Sequence, residues 1–275
     1  MIKYFLKYPR IAFGSTVMIM IFSVALLSLF FTPYNPESIQ ISARLQKPSI
    51  SHPFGTDQYG RDILSRVMSG SIVSIMVGTI AVGIGIFFGL SLGSLAAFNG
   101  GWTDELIMRV MDILYGFPPL LSAILITSIY GGGAVNSMIA IGVFNIPVFS
   151  RLCRSSILSI KEESYIEAAE SLGQQRWRVL IFHVLPNAFP PLLVQVTIQF
   201  ASAILAEAAL SYLGLGVQPP RSSWGVMLKQ AQNFMTISPW PAIFPGISIV
   251  VSVLALNSLG DGLRDLLDPK LAKGL

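Results

Sequence analysis

Side chains able to carry covalent or metal chemistry are scarce in this sequence. Cys153 is the only cysteine, and His52 and His183 are the only histidines. Nucleophilic catalysis needs a nucleophile beside a base, and a zinc site needs several clustered ligands. The sequence shows no such grouping, so an enzyme is disfavoured and no metal site is expected. A lone cysteine closes no intrachain disulfide, which leaves the redox compartment open. Nucleotide chemistry fares no better. A Walker A loop requires Gly-Lys-Ser/Thr, because glycine amides cradle the phosphates while the lysine reaches them. None of the seven lysines follows a glycine, so any ATP that drives this protein is held by another chain.

The spacing that stands out serves shape and contact instead. Ser164-Tyr-Ile-Glu167 fits a capping box, Ala168 and Ala169 propagate a helix well, and Gly173 can end it. A second helical stretch over 174–185 is predicted to stop at Pro186. The segment 151–186 thus reads as a charged helix-turn-helix, with Tyr165 and Trp177 available for packing. Two roles are open for Glu167, a local cap and a contact with a partner. Glu207 is the only acid deep in an apolar run. A carboxylate at mid-bilayer costs about 2.5–3.5 kcal/mol on insertion scales, so it should face protein or water. It could meet a cationic group of a solute, pair with an arginine, or stand at a helix end. Pro118-Pro119 either unwinds a helix and exposes carbonyls to a cavity, or opens a helix with proline in its first turn. Glu207 and Pro118 are the candidate pathway residues.

The elements that must position these residues are built for a bilayer. Of 275 residues, 53% are hydrophobic and 12% charged, with mean hydropathy +0.67; a soluble domain is about a quarter charged. Uncharged runs predict spans over 11–31, 72–98, 187–210 and 242–260, with 113–150 divided at Gly131-Gly132-Gly133 into two short ones. Asn99-Gly100-Gly101 ends the second span. Apolar and polar positions do not alternate, which disfavours a β-barrel. The first run is too long for the apolar core of a cleavable signal peptide and reads as a retained helix. Gly83, Gly85, Gly89 and Gly93 place small residues along the second span, where they permit close helix packing. The fold class is therefore all-α, a polytopic bundle of six transmembrane helices. It divides into 1–71, an N-terminal helix and outer loop, and 72–275, a core of five spans with the structured loop at 151–186.

Threading six spans from an inside N-terminus puts 1–10, 99–112, 151–186 and 261–275 in the cytoplasm. Twelve of the eighteen Lys and Arg residues lie there, and six lie in 32–71 and 211–241. The positive-inside rule counts bases, and it supports this orientation with both termini cytoplasmic. The bases form no stripe interleaved with aromatics, so the pI near 9.3 is not read as nucleic-acid binding. Arg176 and Arg178 suit membrane lipid phosphates or a protein partner equally.

Glu167-Ala168-Ala169, Gly173 six positions after the Glu, and then Leu185-Pro186 resemble the EAA loop of ABC importer permeases. Where the general pattern has an isoleucine two before the Leu-Pro, this chain has His183. His183-Val-Leu-Pro-Asn187 is similar to the form used in the dipeptide, oligopeptide and nickel permease family. Three further blocks agree: His52-Pro-Phe-Gly55-Thr-Asp57-Gln-Tyr-Gly60-Arg61-Asp62, Leu213-Gly-Leu-Gly-Val-Gln-Pro-Pro220 with Trp224-Gly225, and Gly260-Asp261-Gly-Leu-Arg264-Asp265-Leu-Leu-Asp268-Pro269. The resemblance covers nearly the whole chain from Tyr34 onward and is greatest to the "C" permease subunit.

That resemblance implies a type I ABC importer permease fold in a bacterial cytoplasmic membrane. It implies that Glu167, Ala168, Ala169, Gly173, Leu185 and Pro186 couple the chain to a cytoplasmic ATPase. Dipeptides, oligopeptides or a nickel chelate would move by alternating access. No cofactor would sit on this chain, with ATP and Mg on two partner ATPase subunits. A homologous second permease and an extracytoplasmic substrate-binding protein complete the set. The Gly55–Asp62 segment is open to two readings, a surface for the binding protein and a locally bonded loop. The competing function is an ion-coupled secondary transporter or channel, which needs a relay of buried acids or histidines and finds only Glu207.

Overall fold

A computed structural model describes residues 8–267. Lys3 and Lys7, which weigh in the orientation, and Asp268-Pro269 of the C-terminal block lie outside the described residues. The uncharged runs form long helices, since in lipid a helix satisfies its own backbone donors and acceptors. Helix α1 is Pro9–Ser28, with Pro9 in the first turn, where a missing N–H is harmless. Helix α2, Ile63–Asn99, has 37 residues. At 1.5 Å per residue it is about 55 Å long, well beyond the ~30 Å hydrocarbon layer. It begins ahead of the predicted position 72 because Asp62 caps it, accepting from the Ser65 N–H at 2.8 Å. The boundary drawn between residues 71 and 72 falls inside this helix.

Helices α3, Gly101–Tyr115, and α4, Pro119–Tyr130, meet at a bend of 82°. The expected cytoplasmic connector 99–112 is thus helical from residue 101. Its charges recur at helical spacing and find partners: Glu105 pairs with Arg109 at 3.5 Å, and Asp112 with Arg151 at 2.8 Å. The bend follows from Pro118-Pro119, two consecutive residues without an N–H. Pro119 takes the first turn of α4, and the Pro118 carbonyl accepts from Ser122 at 3.1 Å. Pro119 opens α4 with proline in its first turn, as one reading has it, and the break between α3 and α4 falls at Pro118, as the other has it. With twelve residues α4 is too short to cross alone. Among the described residues five other helices are long and apolar enough to cross by themselves, and counting the bent pair as one span gives six.

Helix α5, Ala134–Lys161, is longer than the short span expected and carries Arg151 and Arg154, which the sequence reading put in the loop. Helix α6, Ser164–Ser171, follows. Helix α7, Arg176–Val179, runs through a π-turn, Leu180–Val184, directly into α8, Leu185–Leu213. Pro186 therefore does not stop a helix, contrary to expectation. The Leu185 N–H bonds to the Leu180 carbonyl, five residues back. That widened turn makes room for a ring that would otherwise press on the carbonyl four residues earlier. Helix α9, Trp224–Ala231, is capped by the Ser223 hydroxyl, and α10 is Trp240–Leu267.

Helices α2 and α5 form the centre of the bundle. The predicted glycine strip lies on this contact: a Cβ on Gly89 would fall 2.6 Å from the Phe149 Cβ and 2.9 Å from the Ile146 carbonyl oxygen. Gly85 and Gly93 back onto Asn145 and Ser150 in the same way, while Gly83 faces open space. The strip is internal packing, with Phe149 and Cys153 fully buried beside it. Helix α1 closes on α10 by a second near approach, Gly14 against the Ala255 carbonyl. The polar segments then gather at two opposite ends, one holding residues 162–176 and the other holding 29–62 and 214–239.

Candidate functional site

The segment between α5 and α8 is built from local rules. Helix α5 ends at Lys161, whose ammonium donates to the Ala97 carbonyl at 2.6 Å and lies 5.7 Å from the Phe98 ring centre. The Glu163 carbonyl accepts from the N–H groups of Ile166 and Glu167, so Ser164 is the first residue of α6 rather than its cap. Gly173 has φ +79°, and the Gln174 N–H bonds back to the Ala169 carbonyl at 3.2 Å. This is the six-residue closure of a Schellman stop, which sets the left-handed glycine four residues after the carbonyl it helps to satisfy. The spacing from Ala169 to Gly173 is thereby explained as the geometry of a helix end.

One face of this segment is anchored and the other is free. Ile166 and Val179, each 2% exposed, enter the core cluster that contains Phe149, Cys153 and Ile157. Ala169 and Leu185 are half-buried, while Glu167, Ala168, Gly173 and Pro186 are exposed. The Asn187 amide donates to the His183 carbonyl at 2.7 Å and to the Tyr165 hydroxyl at 3.1 Å, tying α8 to α6. Trp177 donates to the Gln175 side chain at 2.7 Å. Beside them opens a hollow of about 740 Å³ lined by Leu172, Gly173, Trp177, Arg178, Phe182 and His183. Leu172 and Phe182 are 84% and 66% exposed. Sequence reasoning did not single out these two, although apolar residues within a charged loop were the available signal.

Arg151 and Arg154 do not belong to this free surface. They stand on α5 and hold α3 through Asp112 and Asp104. Glu207 on α8 is 0% exposed and accepts from the Ser211 hydroxyl at 2.6 Å, while among the described residues its other carboxylate oxygen has no hydrogen-bond partner. It meets protein, one of the two surroundings expected of it. Pro118 is exposed at the α3–α4 bend.

At the opposite end, Asp57 accepts from Arg61 at 2.7 Å and lies 3.7 Å from Arg66. Both arginines donate to the side-chain oxygen of Gln230, at 2.8 and 3.1 Å. His52 bonds to Asp62 at 2.9 Å and packs against the Tyr34 ring. Trp224 donates to the Val67 carbonyl at 3.1 Å. The Gly55–Asp62 segment is thus bonded locally and also tied to α9. Among the described residues, no three His, Cys, Asp or Glu side chains gather in a way that could hold one ion.

Residues 85–273 match the family model described as "Binding-protein-dependent transport system inner membrane component". The chain is 45% identical to the dipeptide transport system permease protein DppC of Alkalihalophilus pseudofirmus, over 94% of this chain and 83% of the relative. It is 41% identical to the glutathione transport system permease protein GsiD of Pectobacterium atrosepticum, over 98% and 89% of the two chains. Among solved structures, it resembles the inward-facing MetNI methionine ABC transporter with TM-score 0.61 and 16% identity, over 74% of this chain and 96% of that one. An amino acid ABC transporter chain gives TM-score 0.59 and 18% identity, over 73% and 93%.

Proposed function

Because the chain belongs to the family of binding-protein-dependent transport-system inner-membrane components, and so is a multi-pass permease subunit of an ABC importer, we propose that it carries short peptides and is driven through α6. Dipeptide and glutathione, the solutes in the names of its two relatives, are both short peptides with free carboxylates. A nickel chelate, the other solute suggested by the sequence, has no support of that kind. Family membership also displaces the ion-coupled alternative.

The observation that carries the reading is the two-faced α6 segment. Its inner face is locked to the core by Ile166 and Val179, and its outer face presents Glu167 and Ala168 beside the apolar rim of Leu172 and Phe182. The π-turn joins α7 to α8 without a break, and the Asn187–Tyr165 bond ties α8 to α6. A load on α6 therefore reaches α5 through packing and α8 through that side-chain tie, which is what a coupling element for alternating access requires. The partners are two ATPase subunits that hold ATP and Mg and hydrolyse the nucleotide, a homologous second permease, and an extracytoplasmic binding protein. This chain holds no cofactor of its own. The α6 end faces the cytoplasm and both termini lie on that side, in line with the distribution of Lys and Arg.

Proteoliposomes holding the assembled complex should take up a labelled dipeptide only with binding protein and ATP present. In a Cys153→Ala background, single cysteines at the exposed positions Ser164 and Arg221 should label from opposite sides. Uptake without binding protein, or labelling of both cysteines from one side, would overturn the assignment.

A further inference from the structure

The end opposite α6 holds a pocket of about 270 Å³. It lies between Gln58-Tyr59, the turn that follows α8, and α9 with the 3-10 turn after it. We infer that this pocket receives a carboxylate, and that the carboxylate is an acidic side chain of the extracytoplasmic binding protein. The inference rests on the importer reading above, which places this end outside the membrane.

Lys229 and Gln230 set donors into a wall otherwise formed largely by apolar groups such as Val217, Val226 and Phe234. The Gln230 side-chain oxygen accepts from both Arg61 and Arg66, which fixes that amide and leaves its NH₂ group free to donate. Lys229 carries its ammonium over Gly214, at a backbone φ of +88°, and a Cβ there would collide with the Lys229 nitrogen. The glycine thus makes the turn and also leaves the space that the ammonium occupies. Arg44 lies 5.7 Å from the ring centre of Phe234, another lining residue, and adds a second positive charge at the rim. Among the described residues, neither Lys229 nor Arg44 takes part in an ion pair.

The pocket has no acid of its own to neutralise them. The segment 211–241 contains Arg221 and Lys229 and neither Asp nor Glu. Asp57, next to Gln58, is engaged by Arg61 and Arg66. Glu207 lies behind Ser211 and is fully enclosed. Lys229 in the wall, Arg44 beside Phe234 and the Gln230 amide, with no Asp or Glu among the lining residues, fit an anionic group brought from outside. The walls come from polar segments outside the apolar runs, on a face that a docking protein can reach. Charge complementarity of this kind sets encounter and register.

The test uses the full complex in nanodiscs, titrated with its cognate binding protein, with stimulated ATP hydrolysis as the readout. Lys229→Glu should raise the half-saturating concentration of binding protein by about tenfold or more, and Lys229→Met by less. Arg44→Glu should act in the same direction. A reversed charge on one acidic residue of the binding protein should restore docking to Lys229→Glu, a rescue that misfolding could not produce. If wild type is stimulated and the variants half-saturate at the same concentration, the inference fails alone. If the change appears only in the peptide concentration needed at saturating binding protein, the carboxylate belongs to the solute and the inference is overturned. A wild-type complex indifferent to binding protein would overturn the importer reading and this one together.

Discussion

At one end of the bundle Asp57, Arg61 and Arg66 are between 1% and 6% exposed and bonded to one another and to Gln230. At the other, Glu167 stands exposed on an eight-residue helix that enters the core through Ile166, with Val179 of α7 beside it. The first arrangement is rigid, because buried charges hold position only while every partner remains in place. The second leaves its charge free and joins the scaffold through apolar contacts that tolerate small rigid-body shifts. The difference teaches where stability and where contact are located in this chain. Charged residues at the 57–66 end are bonded into the fold, and Glu167 on α6 is left exposed for the contact proposed above.

The widest gap between the two ends should appear with Asp57→Ala. It strands two buried arginines and should lower unfolding stability by about 3–5 kcal/mol, read from denaturant or thermal unfolding of the purified protein. Gly173→Ala sharpens the contrast from the other side. A left-handed residue with a Cβ costs about 1–2 kcal/mol, and the loss should show as weaker copurification of the ATPase subunits. Smallest of all should be Arg10→Ala. The Arg10–Asp265 pair spans 3.3 Å with side chains 63% and 46% exposed, and such surface pairs contribute about 0–1 kcal/mol at most. A large loss there, or none at Asp57, would erase the distinction between buried and exposed charge.

The parts legible in the sequence were those with local causes. Charge-free runs marked the spans, the strip through Gly85, Gly89 and Gly93 marked the closest helix contact, and the interval from Glu167 to Gly173 marked a short helix and its stop. What escaped depended on partners distant in the chain. Asp104 and Asp112 read as loop residues until Arg154 and Arg151 on α5 were seen to meet them. Pro186 read as a terminator because local rules forbid its ring inside a regular α-turn, whereas the chain widens that turn into a π-turn. The Asp57 network could not be read either, since Gln230 enters it from far along the chain.

The central claim is that α6 is the coupling surface, and Glu167→Lys tests it most directly. The residue is exposed and outside the core, so the unfolding midpoint should stay where it is. Binding-protein-stimulated ATP hydrolysis by the assembled complex should fall by about tenfold or more, as expected when a charge is reversed at a contact. Unchanged stimulation with unchanged ATPase association would contradict the account.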